Sequence, residues 1–392
     1  MSEIPDLTVD KTAAPILGTA NTFKLACFSH NIGGGLLMTD VDGPPKAVWS
    51  EQVRIAKLAD RVGFEALVPL ARWRGHGGKT NPQHRSFETF TWAAGMAAVT
   101  DQINVFATVH VPTVHPVMAA KMGATIDHIS GGRFGLNVVA GWNPDELAMF
   151  GVDKRDHDER YDVADEWIRL LKQLWQTNGD SEFRGKYFDV DAGFSEPKPI
   201  QSPYPPVMSA GASPTGQAFA ANHSDMIFVA VGDPSETAEK VTSIKEMARE
   251  RYRRELKVFA VGYITCADTD EEARAEYNRV ILEHADWDAA KESIAKIMAH
   301  SHTIDFESSE MKALLESLLR SFFANPLTGS PETIARQIKE YSDAGLEGMA
   351  VTFSDYERGL LQYERELLPL LIDAGLRTPV VEAPAATVAG IA

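Results

Sequence analysis

Cysteine is nearly missing from this chain: Cys27 and Cys266 are the two in 392 residues. Two cysteines cannot build a disulfide framework or a four-cysteine metal site, and two buried thiols fit a reducing cytoplasm. Basic charge is also short, with 38 Lys+Arg against 55 Asp+Glu and a formal net charge of −17. A phosphate backbone calls for a basic face, so nucleic acid is excluded as the main partner. No stretch approaches the roughly 18 consecutive apolar residues of a membrane helix. The N-terminal MSEIPDLTVDKTAAPILG has neither the basic start nor the apolar core of a signal peptide. The eleven histidines are scattered, with no H-E-x-x-H or comparable spacing, so no metal is expected. There is no G-x-S-x-G elbow and no Walker loop, which removes support for hydrolase and nucleotide triphosphatase readings. Low-complexity tracts and 20–50-residue repeats are missing as well.

What remains is a chain with 44% hydrophobic and 24% charged residues, an ordinary globular composition. Short apolar runs alternate with longer amphipathic ones. The runs are Phe23–Ser29, Phe64–Leu70, Ile103–Val109, Arg133–Ala140, Pro206–Ala210, Asp225–Ala230, Lys257–Thr265 and Glu347–Phe353. Near-continuous apolar runs are what strands covered on both faces look like. Between them, Val48, Gln52, Ile55, Ala59 and Val62 share one helical stripe. Val163, Trp167, Leu170, Leu171, Leu174 and Trp175 share another, within 160–176. Eight strands, each followed by a helix, predict an α/β fold, a (β/α)8 TIM barrel. A doubly wound open sheet fits less well, because the turn SHNIGGGLLMTD lacks the G-x-G-x-x-G spacing. The expected organisation is an N-terminal arm at 1–22, a single barrel domain at 23–372 and a loosely attached tail at 373–392. Long insertions at 70–86, 141–160 and 286–330 are expected at the C-terminal face of the strands, where barrels carry their sites. The last is a candidate lid.

Several residues could carry chemistry. Asn137 stands alone as an amide in the apolar strand RFGLNVVA, and a buried amide needs partners, from the backbone or from a polar cofactor edge. Ser213 is a good N-cap in GASPTG, with Pro214 at the first helical position. A plain capped helix and a phosphate-binding helix start both fit it. Arg72 and Arg74 flank Trp73 after the second strand, as solvated charge or as groups for an anion and a planar ring. In HDERY, Asp158 reads as a helix cap, with Arg160 and Tyr161 following it. His110 ends the third strand, where an imidazole could orient a substrate or move a proton.

Taken together, RGHGGKT, ATIDHISGGRFGLNVVAGW, ERYDVADEWIRLLKQLW, FRGKYF, SAGASPTG and AVTFSDY resemble the bacterial-luciferase-like flavin-dependent monooxygenases along nearly all of residues 23–372. The chain looks closest to the branch holding pyrimidine oxygenases and dimethyl-sulfone monooxygenase. The resemblance implies a barrel that takes reduced FMN (FMNH2) from a separate NAD(P)H:flavin reductase. NAD(P)H would then act through that reductase alone. It implies O2 as co-substrate, a flavin peroxide as oxidant, and a small sulfone, sulfonate, pyrimidine-like or haloaromatic substrate. Carried over by position, the cofactor contacts are Ala71, Arg72, Thr108, Asn137, Glu146, Arg160, Tyr161 and Ser213. Thr108, His110 and Asn137 are the implied catalytic set. A homo-oligomer, dimer or tetramer, is the family expectation. Where the pyrimidine oxygenases have a small residue, this chain has His110, which changes the pocket beside the flavin. A deazaflavin-dependent oxidoreductase on a related barrel and a non-catalytic flavin-binding barrel are the alternatives.

Overall fold

The computed structural model describes residues 8–152, 155–298, 306, 308–320 and 322–380. All eight expected runs form parallel strands: β1 Lys24–Phe28, β2 Ala66–Val68, β3 Asn104–His110, β4 Phe134–Val139, β5 Val207–Ser209, β6 Met226–Val229, β7 Lys257–Cys266 and β8 Gly348–Thr352. Each pairs with the next, and β8 pairs with β1, so the sheet closes into a barrel ringed by helices. The (β/α)8 expectation is met.

Alternation along the strands sorts the side chains. Ala26, Ala66, Phe106, Met208, Met226, Phe228, Phe259 and Ala350 meet inside the barrel. Leu25, Leu67, Val105, Leu136, Val207, Ile227, Val258 and Met349 face the surrounding helices. Gly135 makes room inside, since a Cβ there would lie 2.4 Å from the Phe106 ring. Below this layer the N-terminal segment closes the floor. Ile16 is fully buried in the interior cluster, and its N–H donates to Asn104 Oδ1 at 2.7 Å. Arg377 closes the same end, 2.6 Å from the Glu65 carboxylate, with both side chains almost fully buried.

The amphipathic stripes become the helices Trp49–Arg61 and His157–Gln176. All six apolar residues of the second stripe are buried. Val48 departs from its stripe, standing just before the helix and exposed. The N-cap of the second helix is Asp156 rather than Asp158, which lies inside the first turn and accepts from Thr215 Oγ1 at 2.9 Å. Both thiols are free, yet Cys27 alone is buried and Cys266 is partly exposed. FRGKYF forms a small hairpin, Ser181–Arg184 with Asp189–Gly193, outside the barrel. Glu166 holds its turn by accepting the N–H groups of Lys186, Tyr187 and Phe188.

The segment between β7 and β8 is the largest addition. β7 runs ten residues, and beyond the ring its upper half pairs with the strand Asn325–Gly329. The helices Asp270–Asn278, Trp287–Ile297 and Ser309–Leu319 belong to this segment, which has its own apolar cluster around Tyr263, Ile294 and Leu318. Residues 299–305, 307 and 321 of the expected 286–330 lid lie outside the described residues.

Candidate active site

β3 and β4 supply the centre. Their register sets Thr108 opposite Asn137, with both side chains on the inner face. The Thr108 hydroxyl donates to the Pro69 carbonyl at 2.5 Å, and a carbonyl can only accept. Its oxygen is therefore left to accept, and Asn137 Nδ2 donates to it at 3.1 Å. This fixes the amide orientation: Asn137 Oδ1 faces away, buried and without a partner.

A second group sits beside this pair. Arg72, in the loop after β2, is almost fully buried, and its Nε donates to Gln83 Oε1 at 2.7 Å. Its Nη1 lies 3.5 Å from Glu146 Oε2, a loose approach that leaves both atoms without a hydrogen bond. The guanidinium also lies 4.7 Å from the Trp142 ring centroid. Glu146 is fully buried, and its other oxygen accepts the N–H groups of Trp73 and Arg74. It sits in a short helix, Pro144–Met149, capped by Asn143, rather than in an open loop. His110 Nδ1 is 3.8 Å from Glu146 Oε2. Burial and the nearby Arg72 push the His110 pKa down to about 3, so the ring is neutral. Ala71 is buried next to Arg72.

A third group gathers where two helices begin. Ser213 caps Pro214–His223, its hydroxyl accepting from the Gly216 N–H at 3.1 Å. A Cβ on Gly211 would come within 2.6 Å of Gly216 Cα, and one on Gly216 within 2.6 Å of the Tyr161 hydroxyl. Burial raises the Tyr161 pKa against a hydrogen bond from Ser213 that lowers it, so the phenol is protonated. Arg160 Nη1 donates to the Gly141 carbonyl, which ties this end to the Trp142 loop, while its buried Nε has no partner. All nine expected residues therefore lie at the C-terminal ends of β2 to β5. Gln83 and Trp142 contact Arg72, and His76 contacts Gln83; none of the three was expected.

Residues 26–348 match the family model described as luciferase-like monooxygenase. The chain belongs to that family. Among its relatives, the pyrimidine monooxygenase RutA of Bradyrhizobium sp. (strain BTAi1) is 30% identical over 352 residues, covering 88% of this chain and 95% of the relative. A solved riboflavin lyase (RcaE), with modified FMN and riboflavin, superposes with a TM-score of 0.81 at 21% identity, over 93% of this chain and 94% of that one. DmoA from Hyphomicrobium sulfonivorans gives 0.77 at 20% identity, over 90% and 89%. This luciferase-like monooxygenase is thus an oxidoreductase on a TIM barrel, and its family is consistent with a flavin cofactor. Among the described residues no helix is long and apolar enough to cross a membrane.

The buried histidines make the fold acid-sensitive. Burial lowers His30 and His110 to about 3 and His76 to about 4. The unfolded chain binds protons near pH 6.5 that the folded chain refuses. Their stabilising contribution is complete above pH 6.5 and falls away as pH drops from there toward 4. Each histidine should cost on the order of 1 kcal/mol per pH unit across that window. Urea midpoints measured from pH 7.5 to 5 should fall steeply below 6.5; a flat profile contradicts this.

Proposed function

We propose that the chain is the oxygenating component of a two-component monooxygenase. It takes reduced FMN from a separate NAD(P)H:flavin reductase and uses O2 to oxygenate a small organic substrate in the cytoplasm. The observation that carries this reading is that four candidate residues each hold a buried polar atom without a hydrogen bond: Asn137 Oδ1, Arg72 Nη1, Glu146 Oε2 and Arg160 Nε. Buried polar atoms without hydrogen bonds are costly, and a polar ligand beside them would supply the missing bonds.

The residues fit FMN from end to end. Asn137 Oδ1 suits a ring N–H of the isoalloxazine, and Arg72 and Glu146 suit its polar edge. The Ser213 hydroxyl, the first turn of Pro214–His223, Tyr161 and Arg160 suit the phosphate, where the helix dipole favours negative charge. The Gly211–Gly216 approach lets backbone come close there. Reduced FMN supplies the electrons that activate dioxygen. The protein's own part is to bind, orient and keep water out. Thr108 fixes Asn137 and lines the pocket floor with Ala71. His110, neutral and 3.8 Å from Glu146, is the group that orients the substrate or passes on a proton beside it. The barrel acts as one domain, and the working form is a homo-oligomer.

The test supplies the purified chain with a flavin reductase, NADH, FMN and O2. It offers sulfones, sulfonates, pyrimidines and haloaromatics, and follows 18O incorporation by mass spectrometry. Substrate-dependent incorporation is expected. Tighter binding of a deazaflavin than of FMN would favour the hydride-transfer alternative. FMN binding without product from any substrate class would favour a binding barrel.

A further inference from the structure

Arg72 is the end of a buried chain that reaches into the segment between β7 and β8. Gln83 Oε1 accepts from Arg72 Nε at 2.7 Å and stands 3.0 Å from His76 Nε2. His76 Nδ1 stands 2.8 Å from Ser293 Oγ, on the helix Trp287–Ile297. Gln83 and Ser293 are fully buried and His76 nearly so.

The polarity of the chain follows from its first member. A guanidinium only donates, so the Gln83 oxygen, not its nitrogen, must face Arg72. The same oxygen faces His76, so Nε2 must carry a proton. Burial lowers the His76 pKa to about 4, and a neutral ring has one N–H. Nδ1 is then an acceptor, and the Ser293 hydroxyl donates to it in preference to the Ala289 carbonyl, also 2.8 Å away. Every member has its role set by the one before. With Nε occupied by Gln83, the Nη edge of Arg72 is turned toward Glu146.

Hydrogen bonds tie the loop to the helix. Asp286 caps the helix through the Ala289 N–H and takes the Thr80 N–H at 2.6 Å on its other oxygen. Glu292 accepts from the Gly78 N–H at 3.2 Å. Gln83 itself holds a left-handed backbone, φ 65°, which a glutamine rarely adopts without compensating contacts.

We propose that Gln83 and His76 are positioning residues for Arg72, and that through them Ser293 couples the seating of the Trp287–Ile297 helix to the flavin-facing guanidinium. This rests on the reading that Arg72 faces FMN, and the experiment separates the two. FMN affinity is measured by fluorescence quenching, without turnover, alongside thermal unfolding. Arg72→Ala should weaken FMN at least tenfold; no change there overturns the flavin-site reading itself. Gln83→Leu should weaken FMN about tenfold, while Gln83→Glu, which keeps an acceptor for both donors, should stay within about twofold of the parent. Ser293→Ala should weaken FMN about threefold in the parent and have no effect in the Gln83→Leu background. With Arg72→Ala impaired, parent-like binding by Gln83→Leu overturns the coupling. So does an undiminished Ser293→Ala effect in the Gln83→Leu background. Should Gln83→Leu fail to fold, the same cycle between Ser293→Ala and His76→Asn decides, and additive effects there overturn it.

Discussion

Asn137→Leu is expected to bind FMN about 30- to 100-fold more weakly than the parent while unfolding at nearly the same temperature. The shape of the side chain is nearly kept, so the barrel loses little packing. What goes is an acceptor, Asn137 Oδ1, that is buried and has no protein partner. Its direction is not free, because Thr108 donates to Pro69 and must therefore accept from Nδ2. Removing one buried, pre-aimed hydrogen bond to a ligand costs on the order of 2–3 kcal/mol, which is that range of affinity. Thr108→Val should cost less, roughly fivefold, since Asn137 remains but its amide is no longer held in one orientation. Fluorescence quenching titrations measure both. Parent-like affinity in Asn137→Leu would remove the residue from the flavin site.

Much of this arrangement is legible from sequence for a simple reason. Strands buried on both faces read as apolar runs, so all eight stand out, and a lone amide within one of them points at itself. Ser213 is legible because Ser-Pro marks a helix start. The short helix that carries Glu146 passes unnoticed, although Asn143-Pro144 carries the same kind of start signal. Asp158 misleads because Asp156 stands two residues earlier and begins the helix first. Gln83 and His76 leave no local mark. In GKTNPQHRS a glutamine looks solvated, and the residue that completes the His76 contact, Ser293, lies 217 positions away. Val48 shows the opposite failure: an apolar residue before a helix start, which periodicity counts as buried and the terminus leaves exposed. Periodicity reports which face of an element is covered. It does not report which distant element covers it.

The largest stability effect is expected at the barrel floor, in a segment that composition alone reads as a loose tail. Arg377 lies 2.6 Å from Glu65 Oε2, with side chains 2% and 1% exposed. The carboxylate also accepts the Leu25 N–H at 2.7 Å, and Arg377 Nη1 reaches the Phe23 carbonyl at 3.1 Å. One ion pair thus ties the start of β1, the start of β2 and the chain beyond 372 into one unit. Arg377→Met strands a buried carboxylate, and breaking such a pair costs about 3–5 kcal/mol. Truncation after Asp373 should cost more, since it removes the same guanidinium and the buried Leu376. The charge is what matters, so Glu65→Gln added to Arg377→Met should recover more than half of the loss. Urea denaturation followed by circular dichroism reads all three. A parent-like midpoint for Arg377→Met would mean that the floor is held by Ile16 and its apolar neighbours alone. A double variant no better than the single would mean that the arginine acts through its carbonyl contacts rather than through Glu65.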